Sequence, residues 1–158
     1  MAPNLRFLAA GLLSAVVLAG QTLKVPPSET DRQKPGTFTV MLESPQSKAP
    51  AALQWEFTIP PAIAVDAKGI TSGKAASSAG KSITCAKKPG GEGAVRYACI
   101  LAGGKGALGD GPIAVVQYHA AEDVGGAPIR VAIENVLGVS ADLKRVTIPN
   151  TEAIIRIR

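Results

Sequence analysis

Residues 109–136 read Gly-Asp-Gly-Pro (109–112), Ile-Ala-Val-Val-Gln-Tyr-His-Ala (113–120), Ala-Glu-Asp-Val (121–124) and Gly-Gly-Ala-Pro-Ile-Arg-Val-Ala-Ile-Glu-Asn-Val (125–136). Two runs rich in Val and Ile each follow a glycine–proline turn, which spells a β-strand twice over. The same grammar recurs on both sides. Leu53, Trp55, Phe57 and Ile59 alternate with Gln54, Glu56 and Thr58, giving one apolar and one polar face before Pro60-Pro61 stops the run. Strands are expected at 36–44, 51–59, 81–88, 94–101, 112–121, 127–137, 143–148 and 151–158, with a shorter one at 62–67. Residues 69–81 are rich in Gly, Ser, Ala and Lys and read as a loop. After the first 20 residues no stretch keeps the i, i+3, i+4, i+7 apolar spacing of a helix. Eight or nine short strands punctuated by Gly and Pro predict an all-β fold, an antiparallel β-sandwich or jelly roll.

The start of the 158-residue chain has another character. Arg6 precedes an apolar run from Phe7 to Leu18, and Val17 and Ala19 fit the −3 and −1 positions of a cleavage site. Residues 1–19 therefore read as a signal peptide, with an uncleaved anchor as the alternative. The run is shorter than the ~20 residues that span a bilayer. Residues 20–34 are polar and proline-bearing and read as a flexible lead-in, leaving 35–158 as one domain. No second long apolar stretch follows, so no membrane span is expected in the mature chain. Export places the protein in the periplasm, on the cell surface or outside the cell.

Export gives meaning to the two cysteines, Cys85 and Cys99. Their midpoint is Glu92, inside the turn Pro89-Gly90-Gly91-Glu92-Gly93. A hairpin centred there sets Cys85 opposite Cys99, Ile83 opposite Leu101 and Lys88 opposite Arg96. A structural disulfide is the expectation. The alternative, a redox or metal pair, lacks a Cys-x-x-Cys spacing, and one histidine cannot complete a zinc site.

The formal charge is +5, or +4 once Arg6 leaves. The basic residues are dispersed, with no stripe for nucleic acid. Catalytic patterns fail in context. His119, the single histidine, follows Tyr118 on a strand and points outward if Tyr118 points inward. Gly104-Lys105-Gly106-Ala107-Leu108-Gly109 fits G-x-G-x-x-G but leads into a strand instead of a helix. Gly80-Lys81-Ser82 ends like a phosphate loop, yet Ala75 stands where its first glycine belongs. There is no Gly-x-Ser-x-Gly, EF-hand loop or paired-carboxylate pattern. The reading is a protein without catalytic residues, metal site or cofactor. Of the aromatics beyond the leader, Phe38, Trp55, Phe57, Tyr97 and Tyr118, the last four fall on expected core positions, which argues against a stacking platform for sugars, though not against a hydrogen-bonding one.

Several landmarks resemble a cohesin domain, the β-jelly-roll module of cellulosome scaffolds and other exported proteins. Pro35-Gly36-Thr37-Phe38-Thr39-Val40 is similar to the family's opening strand. The stretch 52–61, with Trp55 and Phe57, resembles its alternating aromatic strand, although Ile59-Pro60-Pro61 replaces the usual Tyr-Asp-Pro. Residues 109–118 resemble its Asp-Gly turn and following strand, and 152–157 its last strand. The resemblance spans most of the chain after Pro35. It implies a docking module for a dockerin-like protein, with calcium on the partner. It also implies two alternatives: an accessory module of polysaccharide degradation that binds carbohydrate, or a structural part of a cell-surface or secretion assembly.

The hairpin suggests where contact would occur. Thr84, Ala86, Lys88, Arg96, Ala98 and Ile100 share the face opposite the cysteines. Their small side chains leave it flat, and the Lys88–Arg96 pairing sets like charges together. An anionic group of a partner is the expected relief. The competing expectation is an ordinary solvated sheet face.

Overall fold

The computed structural model describes residues 20–45 and 48–158. The expected signal peptide, with its cleavage after Ala19, lies outside the described residues. Twelve strands follow in order: β1 (Thr22–Lys24), β2 (Ser28–Thr30), β3 (Gly36–Glu43), β4 (Pro50–Ile59), β5 (Ile63–Ala64), β6 (Ile70–Ser72), β7 (Ser82–Gly91), β8 (Ala94–Ala102), β9 (Gly111–Ala120), β10 (Ile129–Ser140), β11 (Arg145–Thr147) and β12 (Thr151–Ile157). One sheet runs β2-β12-β10-β4-β8-β7, with β11 beside β10. The other runs β1-β3-β9-β5, with β6 also on β9. The two sheets enclose one core, as the alternation of apolar residues demands.

On β4 the four residues expected inside, Leu53, Trp55, Phe57 and Ile59, are all buried. They meet Phe38, Val40 and Leu42 of β3 and Ile113, Val116 and Tyr118 of β9. Phe57 packs edge-on against both Phe38 and Trp55, with ring centroids 5.9 and 5.8 Å apart. The Gly-Asp-Gly-Pro turn is explained locally. Asp110 accepts the Ser44 amide at 2.8 Å, and Gly111 takes φ +121°, a conformation that only glycine adopts at little cost.

The structure corrects the sequence reading at three places. The segment 20–34, expected as a flexible lead-in, holds β1 and β2. Leu23 is buried opposite Leu42, and β2 lies parallel to β12. Glu29 pairs there with Arg158, and the Arg158 amide donates to the Thr30 carbonyl. A short edge strand needs one buried side chain and a few backbone bonds, so its polar composition did not betray it. That parallel pairing is also a departure from a wholly antiparallel sandwich. Finally, the expected loop at 69–81 contains β6 and a short helix, α1 (Lys74–Ser78), that packs on β9 through the fully buried Ala76. Gly73 permits the approach: a Cβ there would lie 2.4 Å from the Pro112 carbonyl. Five residues are too few to show a helical period.

No helix among the described residues is long and apolar enough to cross a membrane.

Candidate docking face

The hairpin β7–β8 adopts the register that the cysteine symmetry requires. Cys85 opposes Cys99 and is bonded to it, Ile83 opposes Leu101, and Lys88 opposes Arg96. The reversal runs through Gly91, Glu92 and Gly93, all at positive φ. Cys99, Tyr97 and Leu101 are buried, and Tyr97 donates its hydroxyl to the Val65 carbonyl at 2.6 Å. Cys85 is only half-buried because β7 is the edge strand.

The outward side chains of β7 and β8 continue onto β4 and β10 as a grid. One row is Thr84, Ile100, Gln54, Leu137. The next is Ala86, Ala98, Glu56, Glu134. The third is Lys88, Arg96, Thr58, Ala132. All six residues singled out in the sequence are therefore brought together on one face. Ile100 is 55% exposed, one of two large hydrophobic side chains so exposed among the described residues. Around it lie Ala98, Ala86 and Thr84, which rise little above the backbone.

Sequence reasoning missed the β4 and β10 half of this face, and its electrostatics change as a result. Lys88 and Arg96 do not confront each other alone. Glu56 stands between them, 3.9 Å from Lys88 Nζ and 3.7 Å from Arg96 Nε. Asn135 donates to the same carboxylate at 2.9 Å. It reaches Glu56 because a bulge in β10, between Glu134 and Leu137, turns Asn135 to φ +53°. The anion expected from a partner is thus supplied within the chain. Alternation already placed Glu56 on the outer side of β4; the order of strands, which sets β4 beside β8, was the missing fact.

The catalytic look-alikes resolve as structure. Lys81 is buried and donates to the Gly103 carbonyl at 2.6 Å, tying the β8–β9 loop to the start of β7. His119 is exposed on β9, beyond the buried Tyr118. Among the described residues no group of three or more His, Cys, Asp or Glu could hold a metal ion. Phe38, Trp55, Phe57, Tyr97 and Tyr118 are all buried, so none of these rings is presented on the surface.

The architecture has solved counterparts. The OlpA cohesin of Clostridium thermocellum, from a type I cohesin–dockerin complex, superposes with a TM-score of 0.72 at 11% identity, over 89% of this chain and 100% of that one. The fold is that of a cohesin. The sixth cohesin of scaffoldin B from Acetivibrio cellulolyticus, solved in complex with a mutant Cel5 dockerin, gives 0.69 at 13% identity, over 89% and 100% of the two chains. A non-cellulosomal cohesin from the hyperthermophilic archaeon Archaeoglobus fulgidus gives 0.63 at 14%, over 89% and 92%. No protein-family model matches the chain, and no curated protein matches it by sequence. The cohesin resemblance read from scattered landmarks thus holds for the fold, across a sequence distance at which direct comparison finds nothing.

Proposed function

We propose that this cohesin-fold chain is an exported, non-catalytic docking module whose outer β10-β4-β8-β7 face receives a partner protein. The observation that carries this reading is Ile100, exposed on a flat field of small side chains and bordered by the Lys88–Glu56–Arg96 cluster. An apolar anchor in a polar frame is the usual anatomy of a protein-binding patch. The cohesins of Acetivibrio cellulolyticus and Clostridium thermocellum named above were solved with dockerins, which supports a dockerin-like partner for this chain, with calcium held by the partner. The Cys85–Cys99 disulfide supports an oxidising compartment outside the cytoplasm, in keeping with the apolar run at 7–18. The carbohydrate-binding alternative gains no support from a face whose nearby rings are buried.

The test is titration calorimetry or pull-down with dockerin-like proteins from the same host, with calcium and with chelator. Calcium-dependent binding that Ile100→Asp weakens by about thirtyfold, the scale of a hot-spot residue, fits the reading. Binding that survives Ile100→Asp and reversal of Lys88 and Arg96 to Glu rejects this face. Turnover of a polysaccharide that depends on His119 would reject the non-catalytic assignment altogether.

A further inference from the structure

The second exposed large hydrophobic is Leu143, 86% accessible at the tip of the turn between β10 and β11. It is held there. Its φ is +61°, in the left-handed region that a leucine adopts only at a cost. The turn around it is closed by the Leu143 amide donating to the Ser140 carbonyl at 3.0 Å and the Ser140 amide donating to the Lys144 carbonyl at 2.9 Å. Ser140 Oγ also bonds Asp142, which pairs with Lys144 at 2.9 Å. Glycine or asparagine would satisfy this backbone more easily, so the position keeps an apolar side chain in water at the expense of the fold.

The surroundings of Leu143 are basic. One groove beside it has Gln21, Lys48, Asp142, Lys144 and Arg145 in its lining, together with the uncharged Ser140, Val146 and Thr147. Asp142 neutralises Lys144, while Lys48 and Arg145 have no ion-pair partner among the described residues. Gln21 is buried, and its side chain donates to the Lys48 carbonyl, which fixes the chain's entry into the domain at this groove. Gly20 is exposed beside it, and the peptide bond before Gly20 leads to the apolar run 7–18. Removal of that run after Ala19 would leave a new α-ammonium group at Gly20, next to Gln21 of the groove.

We propose that the β10–β11 turn is a membrane-docking tip. Leu143 enters the boundary between headgroups and acyl chains of an anionic bilayer, and Lys48 and Arg145 meet the lipid phosphates. An exposed apolar side chain framed by cations suits that boundary, where burial of the one and attraction of the others act together. The tip belongs to different residues from the proposed partner face and does not depend on it.

The experiment uses the exported chain as the cell releases it, with phosphatidylglycerol-rich and pure phosphatidylcholine vesicles. A polarity-sensitive dye on L143C is expected to shift to apolar emission with the anionic vesicles, while the same dye on K68C stays in water. In co-sedimentation, Lys48→Glu with Arg145→Glu should lower the preference for anionic over neutral vesicles at least ~tenfold, given the usual gain per cation near such a surface. Lys68→Glu, a single charge reversal elsewhere, should leave it within about twofold. Leu143→Gly should bind less tightly while melting no lower than the parent, which separates docking from folding. A dye that stays in water at 143, equal preference after the double reversal, or an equal loss from Lys68→Glu overturns the proposal. Binding of inorganic phosphate at the groove with no vesicle response would assign it to a small anion instead and would also overturn it.

Discussion

Gly36 and Tyr118 are partners across β3 and β9, and the Tyr118 ring fills the space that a side chain at position 36 would need. A Cβ on Gly36 would lie 2.3 Å from the ring, far inside contact distance. The Tyr118 hydroxyl lies 3.1 Å from Ser28 Oγ, so this residue of one sheet reaches the edge strand β2 of the other. Two landmarks far apart in the chain, the Pro-Gly opening and the aromatic near the end of 109–120, are therefore two halves of one contact.

Gly36→Ala should lower stability by about 1–3 kcal/mol, the usual cost of forcing an extra group into a filled core. Urea denaturation checks this. Gly36→Ala combined with Tyr118→Leu, which vacates the ring's position, should cost less than the sum of the two single changes. Strict additivity would show that the contact does not matter.

Cys85–Cys99 closes a loop with a sequence separation of 14 and pins the edge strand β7 to β8. Its reduction should lower the stability by ~3 kcal/mol on the loop-entropy account. The Cys85→Ala, Cys99→Ala double variant should show the lower stability from the start and ignore reductant. A parent protein whose urea midpoint is indifferent to reductant would contradict this.

Glu56 holds Lys88, Arg96 and Asn135 on the outer face. Glu56→Gln removes the charge that separates the two cations. The cost should stay at or below about 1 kcal/mol, because the ion pairs are partly solvated, and should fade in salt. Partner binding, if Glu56 keeps the cations in place for contact, should fall more than stability does. Calorimetry and denaturation of the same variant separate the two.

Tyr97 has its hydroxyl pKa raised above the ordinary tyrosine range, first by burial and second by the Asp66 carboxylate. The unfolded chain therefore loses this proton at lower pH than the folded one. The stability that Tyr97 contributes is complete below the ordinary value near 10 and declines as pH rises above it through the folded value. Tyr97→Phe should flatten the alkaline limb of a stability–pH curve. An unchanged limb would point to other groups.

The alternation on β4 and the punctuation of 109–136 made the sandwich legible, because a half-buried strand must write its period into the side chains. The hairpin register was equally open to reading, since two cysteines equidistant from a glycine-rich turn admit one simple pairing. Strands β1, β2 and β6 were not legible. Each is three residues long and owes its place to neighbours made elsewhere in the chain. The candidate face was half legible: β7 and β8 are joined by a turn, whereas β4 and β10 come to them from distant segments.

Residue order by itself determined which side chains face inward on β4 and on the β7–β8 hairpin, that Cys85 could reach Cys99, and that the start of the chain differs from the rest. These are matters of local period and spacing. Only the tertiary structure decided that Glu56 sits between Lys88 and Arg96, that Gly36 makes room for Tyr118, and that Gln21, Lys48 and Arg145 surround one groove near Leu143. Those neighbours are separated by tens of residues, and their meeting depends on the order of strands in a sheet, which no local pattern encodes.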